Sequence, residues 1–211
     1  MSNAARCEDS PLKGSGVARG ESMAVRNAVK IRLEAMAIAM PRVAAHPNRA
    51  DFRGVLTLVD VASDRAPAGA KGHRVVLTRA AAERALPSLL GMALDFAPAF
   101  DRHEPQRKVG VITSADLVGG ELRIGGFLYG RDFPEVIREV SRAATPGHLR
   151  ASRALGRSGR RNSLGMSYEI ADARVEDMKQ SVWKLTEVMF TGAAILRRDR
   201  AAYQNTWIEL A

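Results

Sequence analysis

The chain has 211 residues, of which 46% are hydrophobic and 26% charged, and its formal net charge is +9. This composition indicates a globular chain with one sizeable core and excludes a wholly disordered protein. The apolar stretch Leu33–Met40 is too short for a membrane span, and the N-terminus lacks the layout of a signal peptide. The single cysteine, Cys7, excludes an internal disulfide and fits a reducing compartment.

The N-terminal part of the chain divides into a leader and the start of a single domain. Residues 1–24 are rich in Gly, Ser and charge, which predicts a disordered leader before one domain over 25–211. Apolar and polar residues alternate within Val25–Met40, which indicates a strand or a short amphipathic element. The elements predicted next are a strand over Phe52–Val61, a loop over Asp64–Gly72, a short strand over Val75–Leu77 and an Ala-rich helix from Arg79 that Thr78 caps.

The middle of the chain predicts a hairpin that follows a charged loop. The apolar run Leu94–Pro98 leads into Asp101-Arg102-His103-Glu104-Pro105. Val109–Ala115 and Glu121–Tyr129 are β-rich, and Gly119-Gly120 between them favours a tight turn. A helix is predicted from Pro134 to about Ala144, because proline is favoured in the first helical turn.

The last part of the chain is a basic segment followed by two strands. Residues 145–162 hold Pro146, three glycines and five arginines, which predicts a mobile basic loop. Leu164–Ala173 and Trp183–Leu196 are β-rich, and a short helix is predicted to begin in Arg197–Thr206. The predicted fold is therefore α+β, a mainly antiparallel β-sheet or barrel flanked by helices.

One of the four histidines stands in a setting that suits catalysis. His103 lies in a charged, Pro-bounded loop just before a predicted strand, where a rigid sheet can hold a loop side chain in place. His46 and His73 fit surface loops, and His148 lies in the basic loop. His103 is therefore the candidate general base.

The sequence predicts neither a metal nor a cofactor. It has no HExxH motif, no histidine pair at helical spacing and no cysteine cluster, and His103 with Asp101 and Glu104 cannot by themselves enclose a zinc ion. The glycine pairs at 119–120 and 125–126 lie in a hairpin rather than in a strand-to-helix turn, so they indicate turn or packing glycines and not a phosphate-binding loop.

The candidate nucleophile lies in Asn162-Ser163-Leu164-Gly165-Met166-Ser167-Tyr168-Glu169-Ile170. Ser167 enters a β-like run, and a serine hydroxyl needs a neighbouring base and aimed oxyanion donors to react. Backbone N–H groups around Gly165 and Met166 are the predicted oxyanion donors, since glycine allows a close approach. The segment is not the G-x-S-x-G elbow of α/β-hydrolases, because Glu169 replaces the last glycine.

Glu187 is an isolated acid within the β-rich run Lys184–Phe190. In one interpretation it points outward from an alternating strand. In the other it orients a histidine and stabilises the imidazolium, as the third member of a catalytic triad does. The pattern favours neither interpretation.

Three segments, taken in order, resemble those of the prohead proteases of tailed phages. Arg102–Ile112 resembles the histidine segment, in which a loop histidine precedes a Val-Gly-Val/Ile strand and a Gly-turned hairpin. Asn162–Ile170 resembles the serine segment. Leu185-Thr186-Glu187-Val188 followed by Gly192–Leu196 resembles a later segment in which an acid-containing strand runs into small residues. The similarity spans roughly 75–206.

This resemblance implies a serine endopeptidase with a β-barrel like that of herpesvirus assemblin. It implies His103 as base, Ser167 as nucleophile and Glu187 as third triad member, with Asp101 as a less favoured alternative to Glu187. Ser163-Leu164-Gly165 also resembles the family's Ser-x-Gly form, so Ser163 is the alternative nucleophile.

The same resemblance implies the partners and the location. The expected substrates are segments of the major capsid protein and of a separate scaffold protein, cleaved inside the immature capsid in the host cytoplasm. Self-cleavage in the loop 145–162, a homo-oligomeric or capsid-bound assembly, and no membrane contact are also expected. Two alternatives are a catalytically inactive capsid- or scaffold-associated binding protein and a basic nucleic-acid-binding module.

Overall fold

A computed structural model describes residues 36–38, 46–144 and 164–211. These residues belong to one compact unit, Leu33–Ala211. The predicted leader 1–24 and the predicted basic loop 145–162 lie outside the described residues. The elements are β1 (Met36–Ala37), β2 (Arg49–Leu58), β3 (Arg74–Leu77), α1 (Arg79–Ala85), β4 (Ala93–Asp95), β5 (Lys108–Val118), β6 (Glu121–Tyr129), α2 (Pro134–Ala144), β7 (Leu164–Val175), β8 (Val182–Arg197) and β9 (Trp207–Leu210).

The strands form one curled, mixed sheet, a half-barrel accompanied by two α-helices, which confirms the predicted α+β class. The hydrogen-bonded order is β3-β8-β4-β5-β6-β2-β9, β1 pairs with β5, and β7 pairs with β8. The sheet is antiparallel except where β8 runs parallel to β3 and to β4.

In the described part of the chain, neither helix is long and apolar enough to cross a membrane.

Local sequence signals account for several of these elements. Thr78 Oγ1 accepts a hydrogen bond from the Ala81 N–H, so the predicted cap of α1 is confirmed. The predicted hairpin is also confirmed, because Val118 and Glu121 pair across the turn that contains Gly119 at φ +60°. Helix α2 has the predicted bounds.

The segment 197–206 differs from its prediction. It forms turns rather than a helix, and the N–H groups of Arg200 and Ala201 both donate to the Arg197 carbonyl. Trp207–Leu210, which the sequence left unassigned, then pairs with β2 as the edge strand β9.

Tyr203 lies in the core beside the partly buried Tyr168, and this pair gives the fold a dependence on alkaline pH. Tyr203 is 3% exposed, and its hydroxyl lies 3.1 Å from the Val75 carbonyl and 3.2 Å from the Val61 carbonyl. Burial raises the pKa of Tyr203 from 10.0 to about 12, and burial, with a smaller contribution from Tyr203, also raises the pKa of Tyr168. Because folding favours the protonated phenols, their contribution to stability is complete below pH 10 and is lost as the pH rises through their folded-state pKa values.

We expect the free energy of unfolding to fall by about 2–3 kcal/mol from Tyr203 alone as the pH rises from about 10 to about 12. Tyr203→Phe should weaken this dependence and cost about 1 kcal/mol at neutral pH, because the hydroxyl hydrogen bond is lost. Urea titrations at several pH values measure both effects. Tyr129→Phe, outside this pair, is the control, and an equal loss of alkaline sensitivity in both variants would contradict the assignment.

Candidate active site

Three neighbouring strands place Asp95, Ser167 and Glu169 on one face of the sheet. Asp95 on β4 and Ser167 on β7 both pair with Ala194 on the intervening strand β8. Paired residues point to the same face, and so do residues two apart along a strand, so Glu169 lies on this face beside Ser167. The register, and not the local sequence, brings these side chains together.

Small residues beneath this face leave room for the polar side chains. Glu169 pairs with Gly192, where a Cβ atom would lie 3.0 Å from Glu169 Oε2 and 3.5 Å from the Ala93 carbonyl oxygen. A larger residue there would displace the carboxylate. The small residues of the later segment, Gly192 and Ala194, therefore shape the floor of the site.

The loop 96–107 carries His103 over this floor. Phe96 is buried, and its ring packs against the rings of Phe100 and Phe133 at centroid distances of 5.4 and 5.8 Å. Phe100 adopts φ +50°, an uncommon conformation for an aromatic residue, and its carbonyl accepts a hydrogen bond from the Arg197 N–H. These contacts fix the turn just before His103.

His103 lies between two carboxylates. Its Nδ1 atom is 3.1 Å from Glu169 Oε1 and 3.6 Å from Asp95 Oδ2. The side chain of Asp95 is fully buried, whereas those of His103 and Glu169 are 24% and 28% exposed. Asp95 Oδ1 accepts a hydrogen bond from the Glu104 N–H, but Asp95 Oδ2 and His103 Nδ1 are buried without a hydrogen-bond partner.

His103 and Glu169 border a cleft of about 1140 Å³ that Ser167 also lines, whereas Asp95 is fully buried beside His103. Four cationic side chains and several apolar side chains line the cleft. The cations are Arg65, Lys71, Arg102 and Arg200, and the apolar residues include Val75, Ile170, Val175, Met178, Trp183 and Leu185. The cleft is therefore suited to a ligand with an apolar group and with negative charge.

The structure brings two of the predicted catalytic residues to the same cleft. His103 and Ser167 both line it. In the described residues they share no hydrogen bond, and the Nδ1 edge of His103 faces the carboxylates instead. Catalytic hydrogen bonds are often long in the absence of substrate. The alternative nucleophile, Ser163, lies outside the described residues.

Glu187 does not reach His103, so its predicted role as the orienting acid is wrong. It is 55% exposed and its Oε2 atom lies 2.9 Å from Arg174 Nε on the neighbouring strand. Glu187 faces outward beside the buried Val188, and a register shift between the pairs Arg174–Glu187 and Val175–Leu185 explains why Leu185, two residues away, is buried. Asp101 lines the cleft and forms an ion pair with Arg102 at 4.0 Å, not with His103.

The predicted oxyanion donors at Gly165 and Met166 are also corrected. Both residues are buried within β7, and the Met166 N–H donates to Thr206 Oγ1 at 3.0 Å, so it is not free to bind an oxyanion. Gly165 is explained by packing, because a Cβ atom there would lie 2.7 Å from the same hydroxyl. N–H groups of alternate residues point the same way, so Tyr168 presents the next outward donor along β7.

Sequence reasoning missed Asp95 and Glu169. Asp95 is a charged residue inside the apolar run Leu94–Phe96, and such a residue usually has a specific partner when it is buried. Glu169 follows Ser167 by two and so had to share its face if the segment was a strand. Both signals were present, but neither identifies His103 as the common partner.

The cluster of Asp95, His103 and Glu169 has two chemical possibilities. Two carboxylates beside Nδ1 can orient an imidazole and stabilise its protonated form. The same three side chains offer ligand atoms that all lie within 4.8 Å of one another, so they could also hold a metal ion.

Comparison with known proteins adds no assignment. No protein-family model matches the chain, and no curated protein matches it. The expected relation to prohead proteases therefore rests on the three sequence segments alone.

Proposed function

We propose that this protein is a serine endopeptidase that uses His103 as the general base and Ser167 as the nucleophile. The observation that carries the proposal is the position of His103 Nδ1 between Glu169 and Asp95, on the face and in the cleft that Ser167 lines. Carboxylate, imidazole and hydroxyl are the three groups that activated-serine catalysis requires.

In this proposal the two nitrogens of His103 have different tasks. Nδ1 faces the carboxylates, so Nε2 is the nitrogen that takes the proton from Ser167 as the hydroxyl attacks the peptide carbonyl. Asp95 and Glu169 then stabilise the imidazolium. The proton passes from Nε2 to the leaving amine when the acyl-enzyme forms, and water later releases the acyl group.

The edge of β7 supports an extended substrate. In the described part of the chain, β7 forms a ladder with β8 alone, which leaves its other edge without a paired strand. Met166 and Tyr168 direct their backbone groups toward that edge, where the Met166 N–H donates to Thr206 Oγ1. A peptide added there as a strand would pass Ser167 with alternate side chains in the cleft.

The similarity to prohead proteases supports a biological setting for this chemistry. The proposed substrates are acidic, partly apolar segments of scaffold and major capsid proteins, cleaved in the immature capsid within the host cytoplasm. The cations along the cleft fit such segments. Self-cleavage within residues 145–162 and assembly with further copies belong to the same proposal.

Ser167→Ala, co-expressed with the cognate capsid and scaffold proteins, should reduce their cleavage by about 10⁶-fold, to below detection on a gel. Ser163→Ala is the matched variant and should process them at close to the normal rate. The opposite result would make Ser163 the nucleophile. Normal processing by both variants would sink the serine mechanism.

A fluorophosphonate probe separates the enzyme from its two alternatives. Wild-type protein should be labelled and Ser167→Ala should not. An inactive capsid- or scaffold-associated binding protein would remain unlabelled while still binding the capsid or scaffold. A nucleic-acid-binding module would bind random DNA with a steep dependence on salt.

A further inference from the structure

We infer that Asp95, His103 and Glu169 form a binding site for one divalent transition-metal ion of the Zn²⁺ class. The ligand atoms are Asp95 Oδ2, His103 Nδ1 and Glu169 Oε1. The inference concerns binding by these three side chains and goes beyond the proposed peptidase activity.

The distances fit such an ion. Zn²⁺ binds imidazole nitrogen and carboxylate oxygen at about 2.0–2.2 Å, so two ligands at a tetrahedral angle lie about 3.3–3.6 Å apart. The observed separations from Nδ1 are 3.1 Å to Glu169 and 3.6 Å to Asp95. Small side-chain movements are enough to place all three atoms around one centre.

The burial of these polar atoms favours a bound cation, and this argument does not depend on the distances between them. Asp95 is fully buried, and its Oδ2 atom accepts no hydrogen bond although it is directed at His103. An ionised carboxylate in such a position is costly unless a positive charge or a metal neutralises it. His103 Nδ1, also without a hydrogen-bond partner, provides the nitrogen ligand that favours Zn²⁺ over Mg²⁺ or Ca²⁺.

The arrangement also leaves coordination positions open. Three protein ligands leave at least one position for water, and the cleft supplies the access. Asp95 Oδ1 is held by the Glu104 N–H, which fixes the carboxylate with its other oxygen toward the site. An ion bound to Nδ1 would replace the proton that the triad needs there, so metal binding and the proposed catalysis are alternative states of the same side chains.

Titration of the metal-free protein with Zn²⁺ and with Co²⁺ tests the site. We expect one tightly bound ion by calorimetry, visible d–d absorption with Co²⁺, and a rise in Tm of about 5–10 °C at a hundredfold excess over Kd. His103→Gln and Glu169→Gln should lose this ion, whereas Glu176→Gln, an exposed glutamate paired with Lys184, should retain it.

Two measurements distinguish loss of metal binding from a general loss of stability in these variants. Glu169→Gln should keep a metal-free Tm close to that of the wild type, because it removes one of two adjacent carboxylate charges, and yet lose the metal-induced shift. Ser167→Ala should bind the ion normally whether or not the protein is a peptidase. Equal binding by wild type, His103→Gln and Glu169→Gln, or no binding by the wild type, overturns the inference.

Discussion

Replacing His103 with glutamine should lower the rate of substrate cleavage by about 10⁴-fold or more. Glutamine keeps a polar side chain of similar length but cannot accept the serine proton as a base. The variant should still fold, because the loop 96–107 is held by Phe96 and by the Asp95–Glu104 hydrogen bond and not by the imidazole. Initial rates on a cognate substrate, with a circular dichroism melt of each protein, measure the effect.

The carboxylates provide the sharper comparison. Asp95→Asn and Glu169→Gln should each reduce cleavage by about 10²- to 10⁴-fold, since each removes a charge that stabilises the imidazolium. Glu187→Gln is the matched control on β8, and it should leave the rate unchanged because Glu187 pairs with Arg174 at the surface. If Glu187→Gln lost as much activity as Glu169→Gln, the assignment of the acids would be wrong.

The second large effect concerns the fold, at Gly126 in the middle of β6. A Cβ atom there would lie 2.0 Å from the Val111 carbonyl oxygen and 3.0 Å from Phe52 Cε1. The first obstacle is backbone, so no side-chain rotation relieves it, and β5 and β2 hold β6 from both sides. We expect Gly126→Ala to cost at least about 3 kcal/mol, a large part of the stability of a typical domain.

Gly120→Ala is the control for this effect. Gly120 lies in the turn of the same hairpin, and the nearest atom to its added Cβ would be the Val59 carbonyl oxygen at 4.0 Å. Its stability, measured by urea denaturation, should change by no more than about 0.5 kcal/mol. A similar loss of stability in both variants would mean that the close approach of the strands at Gly126 is not the cause of the effect.

The sequence by itself determined the elements whose signals are local. The cap at Thr78, the turn at Gly119 and the proline at the start of α2 each act within a few residues, so the corresponding elements have nearly the predicted bounds. The loop that carries His103 was also predictable, because charge and proline exclude it from the core. The alternation of apolar and polar residues in Lys184–Phe190 allowed an outward-facing Glu187 but did not establish it.

The tertiary structure alone decided which acids lie beside His103. Asp95, Ser167 and Glu169 come together because β4 and β7 pair with opposite edges of β8 in one particular register, and a slip of one residue would turn each side chain to the other face. Nothing in the separate segments specifies that register. It is set by long-range pairing and by the packing of the small residues Gly192 and Ala194 beneath the site.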